Sequence, residues 1–342
     1  MAMNRRDFMR TSAGVAGALA AGSIPMIPKF QDPATVAASL PTLPAPEQSG
    51  IEHIVVVMME NRSFDHFLGW LPGGNGMQAG LSYRDASGVV HSTYPLAPDF
   101  TGCPHPDPDH SYSGGRVEYN NGAMDGFLRA GSNDVFSIGY YSEQDLAFYS
   151  QFARNFTTCS RYHAAILGPT FPNRIFAHAA QTDRLDDSVL PTSLPTIWDN
   201  LINAGVSCKY YFNNLPVLAL WLLKYVGISW IYTDFLLDVA LGTLPHVSFI
   251  DPYFTVLDDG TGNDDHPHAD IRRGDAFLAQ IYHVLSRSRL WKNTALVVNF
   301  DEWGGFFEHL APPRVIAANS VDTDIVDGKT LLGFRLPTVV AS

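Results

Sequence analysis

The stretch Ile51–Gly69, IEHIVVVMMENRSFDHFLG, decides how the rest of the chain is read. Ile54, Val55, Val56, Val57 and Met58 form an apolar, largely β-branched run of strand length. A run apolar on both faces is expected of a central parallel strand covered by helices on each side, because neither face meets water. The run ends abruptly in Glu60, Asn61, Arg62, Ser63, Phe64 and Asp65. In open α/β sheets, ligands bind just beyond the carboxyl ends of the strands. Glu60 and Asn61 therefore stand where a pair of hard oxygen ligands is useful. The plainer alternative is a polar turn in which Asn61 or Ser63 caps the next helix. On this stretch alone the two readings balance.

Outward from this strand the pattern repeats. Thr294–Phe300 (TALVVNF) is a second buried-strand run, ending in Asp301-Glu302, and Pro245–Ile250 (PHVSFI) is a third, ending in Asp251-Pro252. Val206–Phe212 is a further strand, and helices are expected over Glu143–Phe156, Asn173–Gln181, Thr196–Ala204 and Asp275–Ser286. Alternation of strand and helix predicts an α/β fold with a doubly wound, mostly parallel sheet between helices. Leu215–Leu244 is very apolar, but Lys224, Asp234 and Asp238 interrupt it, so paired amphipathic helices over the core or a pocket mouth are expected rather than a membrane span. Trp70–Asn133 is rich in Gly, Pro, Asp and Tyr, the composition of a functional loop layer. It holds the cluster Cys103-Pro104-His105-Pro106-Asp107-Pro108-Asp109-His110.

The N-terminus is of another kind. Residues 1–22 carry paired arginines, Arg5-Arg6, then Phe8 and an Ala/Gly-rich stretch too short to span a membrane. This segment resembles a twin-arginine export signal, which implies delivery to the periplasm or beyond by the twin-arginine machinery. Residues 23–50 are proline-rich and read as a linker, leaving 51–342 as the folded domain.

Composition narrows the function classes. The net charge is −12, and no basic run exists outside the N-terminus, which argues against nucleic acid as a partner. It argues equally against electrostatic docking on an anionic membrane, although the apolar Leu215–Leu244 stretch keeps transient membrane-surface contact in view. The chain has three cysteines. Cys103, Cys159 and Cys208 match no zinc spacing and allow one disulfide, whose pairing the sequence leaves open.

The chemistry gathers at the strand ends. In a parallel sheet the tips at Glu60-Asn61 and Asp301-Glu302 fall on one edge, and clustered carboxylates repel unless a cation or shared proton neutralises them. Oxygen donors with little sulfur suit one hard divalent ion, Ca²⁺, Mg²⁺ or Mn²⁺. Thr170, in Gly168-Pro169-Thr170-Phe171-Pro172-Asn173-Arg174, stands at a predicted helix start and reads either as a cap or as a nucleophile beside a metal. A hydroxyl beside a metal and a helix N-terminus suits phosphoryl transfer, with histidines such as those of Asp264-Asp265-His266-Pro267-His268 serving the leaving oxygen.

Glu60-Asn61-Arg62-Ser63-Phe64-Asp65-His66, the Gly168–Arg174 turn, Asp265-His266-Pro267 and Asp301-Glu302-Trp303-Gly304-Gly305-Phe306-Phe307-Glu308-His309 follow one another in that order. Together they resemble the bacterial phosphoesterase family of phosphatidylcholine-hydrolysing phospholipases C and acid phosphatase A, over about Ile51 to Val340. The resemblance implies an alkaline-phosphatase-like α/β/α core and a single-metal phosphoester hydrolase; related folds also use Zn²⁺. It implies that Glu60, Asn61, Asp301 and Glu302 hold the metal and that Thr170 is the metal-bound nucleophile of a phospho-enzyme. His266 would bind phosphate or serve the leaving group, and His110 would be a further pocket histidine. Trp303 and Glu308 depart from the pattern, standing where a smaller or polar residue and an Asp are expected. Family members continue past the strand-like Leu336–Val340, so a compact single-domain member or a truncated product is expected. A phospholipid, with aromatic-lined loops suited to a choline head group, is the expected substrate. A small phosphomonoester, as for an acid phosphatase, is the alternative, and a catalytically silent exported binding protein is the non-enzymatic one.

Overall fold

A computed structural model describes residues 45–255 and 260–342. The chain divides into two compact units, Met1–Gly50 and Ile51–Ser342. The export-signal reading falls outside the described residues. In the first unit Pro46–Gln48 forms a short 3-10 turn; the second unit carries the sheet, its helices and the site.

Seven strands form the main sheet: β1 (His53–Met59), β2 (Thr157–Thr158), β3 (Cys208–Phe212), β4 (Ser229–Ile231), β5 (Val247–Ile250), β6 (Thr294–Phe300) and β7 (Val339–Ala341). Their order is β2-β7-β6-β1-β5-β3-β4. β1 pairs in parallel with β6 and β5, and β3 in parallel with β5 and β4. β7 runs antiparallel to both β6 and β2, so the sheet is mixed at that edge. The central strand is the opening stretch of the sequence, and the last three residues of both β1 and β6 are buried on both faces. That double burial is why these runs are continuously apolar at their ends.

Among the described residues, seven α-helices accompany the sheet: α1 (Phe64–Leu68), α2 (Tyr112–Tyr119), α3 (Tyr149–Asn155), α4 (Thr170–Ala179), α5 (Ile197–Asn203), α6 (Tyr232–Leu241) and α7 (Ile271–Arg287). Neighbouring strand residues point to opposite faces. Met58, Tyr210 and Phe249 pack with Ile175 of α4 and Trp198 of α5 on one side. Tyr211 and Phe300 turn the other way, against Phe235 of α6 and Tyr149 of α3, and Tyr232 of α6 meets Phe277 of α7. Helices therefore cover both faces, and the α/β, doubly wound, mostly parallel sheet is the observed architecture.

Several element expectations change. The helix expected over Glu143–Phe156 shortens to α3, because the Asp275 carboxylate of α7 accepts the amides of Phe148 and Tyr149 at 2.8 and 2.7 Å and sets its start. Leu215–Leu244 is not a helix pair. It makes 3-10 turns at Val217–Trp221 and Val226–Ile228, then the edge strand β4, and only then α6. Pro216 stands just before the first turn, and Trp230 pairs with Tyr211 across the sheet edge, a contact no local pattern announces. All three cysteines are free thiols, so the disulfide does not form. No described helix is long and apolar enough to cross a membrane.

Candidate active site

Strand register builds the site. Met59 lies opposite Phe300 and Val57 opposite Ile250, so Glu60, Asp301 and Asp251 leave neighbouring strands at the same edge. The tips are tied together by backbone: the Asn61 amide donates to Asp301 Oδ1 at 3.2 Å and the Arg62 amide to the Glu302 carbonyl at 3.0 Å. Asn61 itself takes a left-handed conformation, φ 62°, which asparagine tolerates better than most residues. Gly304 is the one residue that fits the next turn, since at φ 65° an added Cβ would come within 2.2 Å of the Asn61 carbonyl oxygen.

Helix α4 brings Thr170 and Arg174 to the same edge from one face, one turn apart. Thr170 is the first helical residue, and Pro169 occupies the cap position without a side-chain bond, so Thr170 is not the cap of this helix. The α4 N-terminus is met instead by Asp187, whose Oδ1 accepts the Phe171 amide at 2.7 Å. A carboxylate therefore already uses part of the positive end expected to serve phosphate.

Arg174 is fully buried among the strand tips. It bonds Asp301 and Asp251 at 2.9 Å each and stands 3.3 Å from Glu60. The Tyr210 hydroxyl also donates to Asp251. Burial pushes the carboxyls of Glu60 and Asp301 above the ordinary range while Arg174 opposes the shift. Asp251 is pushed up to about 6 by burial, again against Arg174. Glu302 is raised by burial and then by the Asp301 charge. One guanidinium is too little for these carboxylates.

Two buried oxygens mark where further positive charge fits. Asn61 Oδ1 and Glu302 Oε1 have no hydrogen-bond partner among the described residues. The second oxygen of Glu302 is taken by the Gly304 amide at 2.6 Å, and the Asn61 amide nitrogen lies 3.3 Å from His110 Nε2. An unpartnered buried acceptor is costly, and hard oxygen acceptors among carboxylates suit a divalent cation. The donor set thus fits a metal, with one correction. His, Cys, Asp and Glu ligand atoms converge within 4.8 Å at Asp107–His110–His266 and at Asp65–Glu308–His309, and the expected carboxylates, with Arg174 between two of them, are not gathered so tightly.

The histidines complete the site. His110 Nδ1 lies 2.8 Å from the Pro108 carbonyl and His266 Nδ1 2.9 Å from the Pro267 carbonyl. A carbonyl only accepts, so each Nδ1 carries the proton and each Nε2 is the basic nitrogen. The two rings stand edge to face, 5.7 Å apart. Buried Arg62 positions this loop: its Nε donates to the Asp265 carbonyl at 2.6 Å and its NH1 to His66 Nε2 at 3.0 Å. Glu60, Thr170, Arg174, Asp187 and His266 line a cavity of about 700 Å³, walled on its other side by Leu215, Val217, Leu220 and Phe254.

Of the residues expected in the site, Glu60, Thr170 and His266 line this cavity, while Asn61 contacts Asp301 and His110, and the Glu302 amide donates to Asp301 Oδ1. Trp303 and Glu308 do not line the cavity. Trp303 is buried beside Phe334 and donates to Glu118 at 2.7 Å, while Glu308 bonds Arg335 at 2.7 Å in an ion network with Asp65 and His309. Sequence reasoning missed Arg174, Asp251 and Arg62. Asp251 ends a third apolar strand and obeys the rule that found Glu60 and Asp301. Arg174 follows Thr170 by one helical turn.

The family of the chain comes from comparison with known sequences. Residues 51–342 match the Phosphoesterase family, and the chain belongs to it. Among its relatives, phospholipase C A of Mycobacterium tuberculosis is 31% identical, the alignment covering 100% of this chain and 76% of that protein. Non-specific phospholipase C6 of Arabidopsis thaliana is 30% identical over 86% of this chain and 62% of its own length. Non-hemolytic phospholipase C of Pseudomonas aeruginosa is 30% identical over 96% of this chain and 51% of its own. The chain is a hydrolase acting on phosphoric ester bonds.

Proposed function

We propose that the chain is an exported, metal-dependent phosphodiesterase of phospholipase C type, working through a phospho-threonine at Thr170. The observation that carries the reading is the shared cavity: Thr170, Glu60 and His266, beside Arg174, Asp187 and Thr255, open onto a space whose opposite wall of Leu215, Val217, Leu220 and Phe254 is apolar, as a diacylglycerol moiety requires. Glu60, Asn61, Asp301, Glu302 and Thr170 would hold the divalent ion, which when bound supplies Lewis-acid stabilisation of phosphoryl charge and a lowered hydroxyl pKa.

The chain's own groups do the rest. Thr170 Oγ1 attacks phosphorus, and its proton passes to the basic Nε2 of His266. The bond from phosphorus to the glycerol oxygen breaks as the threonine–phosphorus bond forms, and His266 returns a proton to the leaving oxygen. Water, deprotonated by the same imidazole, then attacks phosphorus; the threonine–phosphorus bond breaks, and the imidazolium returns the proton to Thr170 Oγ1. Arg174 keeps the carboxylate tips from repelling one another, and Arg62 holds the Asp265-His266 backbone in place.

Thr170→Ala should reduce diacylglycerol release from phosphatidylcholine by at least about 10³-fold; residual activity equal to wild type would exclude Thr170 as nucleophile. Turnover of p-nitrophenyl phosphate without diacylglycerol release would assign the acid phosphatase reading instead. Export rests on the Arg5-Arg6 segment. Arg5→Lys with Arg6→Lys should retain the chain in the cytoplasm of a twin-arginine-competent host, as read by cell fractionation. Unchanged export would remove the twin-arginine route.

A further inference from the structure

The cavity that holds Thr170 continues outward into an apolar rim. Val189 and Leu215 line it and are also 75% and 53% exposed. Leu190 follows Val189, and Leu222, Leu223 and Val226 follow the Val217–Trp221 turn, with Leu223 81% exposed. The two segments form one structure. The Thr192 amide donates to the Leu220 carbonyl at 2.8 Å, and the Trp221 indole to the Leu194 carbonyl at 2.7 Å. Val217, Leu218, Leu220 and Trp221 anchor the turn in the core beneath.

The backbone adds an independent sign. Leu222 has φ 55° and ψ −130°, a conformation that glycine takes easily and leucine does not. A leucine is held there while the residue is 65% exposed. From Leu215 to Ile231 the only charged residue is Lys224, which pairs with Asp199 at 2.8 Å and has the long stem of a side chain that reaches past an apolar surface.

We infer that this rim docks the chain on a zwitterionic phospholipid surface; the inference rests on the phosphodiesterase reading above. Continuity decides the occupant. An apolar rim joined to an apolar cavity wall lets a lipid's phosphoester move from the interface toward Thr170 while its chains stay out of water. Charge decides the kind of lipid, because a chain of net charge −12 gains nothing from an anionic surface.

The test compares the full chain with L222E/L223E, both residues being exposed. On phosphatidylcholine vesicles the double variant should lose co-sedimentation by at least about tenfold, with vesicle hydrolysis falling alike. Its rate on monomeric short-chain phosphatidylcholine should stay within about twofold of wild type, since neither residue lines the cavity. L222G should keep or raise the melting temperature while lowering vesicle binding, which separates docking from folding. Ile316→Glu, on the exposed ribbon Arg314–Ile316, should change nothing. Unchanged vesicle binding by L222E/L223E overturns the proposal. So does binding confined to phosphatidylglycerol vesicles and abolished by salt, or a dimer that the double variant dissolves without any vesicle binding. Wild-type chain that hydrolyses the monomeric lipid but ignores vesicles overturns docking alone. Chain that binds vesicles and hydrolyses neither lipid supports docking and overturns the catalytic reading.

Discussion

Arg174 is the residue on which the strand tips depend. It is buried against Glu60, Asp251 and Asp301, and its guanidinium lies 4.7 Å from the centre of the Phe254 ring. Removing one partner of a buried ion cluster leaves the others uncompensated, which costs more than the cluster itself contributes. Arg174→Met should therefore destabilise the fold by about 3–5 kcal/mol at neutral pH in urea titrations. The loss should shrink toward pH 5, where Asp251, already raised to about 6, takes up a proton. A variant as stable as wild type at pH 7 would mean that the carboxyls hold protons there. At this scale the sequence was readable only in part. Acidic residues ending apolar strands announce themselves, but a buried arginine in a helix looks like any surface arginine until the helix is packed.

Helix α4 joins chemistry to stability. It presents Thr170 and Arg174 at the cavity and buries His178 among Trp198, Tyr210, Trp221 and Phe249. Neither ring nitrogen of His178 has a partner among the described residues. Burial, aided by the Arg174 charge, lowers its pKa from 6.5 to about 3. The unfolded chain therefore binds this proton more readily than the folded one. The stability is fully present above pH 6.5 and is lost as pH falls toward 3, by about 1.4 kcal/mol per pH unit. His178→Phe should flatten the acid limb of the stability–pH curve by one proton's worth, as measured by urea midpoints from pH 4 to 7. An unaltered slope would show that His178 is solvated. Elements were legible where periodicity was strong: β6 occupies Thr294–Phe300 as predicted, and Thr196 caps α5 through a capping box with Asp199. They failed where a distant group set the boundary, as Asp275 does for α3, or where an apolar run had to serve an edge strand, as at Trp230.

Across the whole molecule, the sheet edge gathers carboxylates faster than it supplies cations. Prolonged dialysis against EDTA should abolish phosphoester hydrolysis, and adding back a divalent ion should restore it. Because an ion that binds only the folded chain stabilises by mass action, unfolding free energy should rise by about 2.7 kcal/mol at a metal concentration 100 times the Kd. Equal melting temperatures with and without metal, together with full activity in EDTA, would remove the metal from the proposed chemistry.

What the sequence determined by itself was the type of fold and which polar residues end its central strands. Doubly buried strands must be continuously apolar, and they must end in polar residues where the sheet meets a ligand, so Glu60-Asn61 and Asp301-Glu302 stand out in one dimension. What only the tertiary structure decided was how those donors are balanced. Parallel register set Glu60, Asp251 and Asp301 side by side, α4 brought Arg174 between them, and Asp187 took the helix end beside Thr170. These relations join residues far apart in the chain through burial and charge, and no local pattern records them. The stretch Ile51–Gly69 fixes where the site lies, while the neighbours it acquires in the sheet decide what charge the site carries.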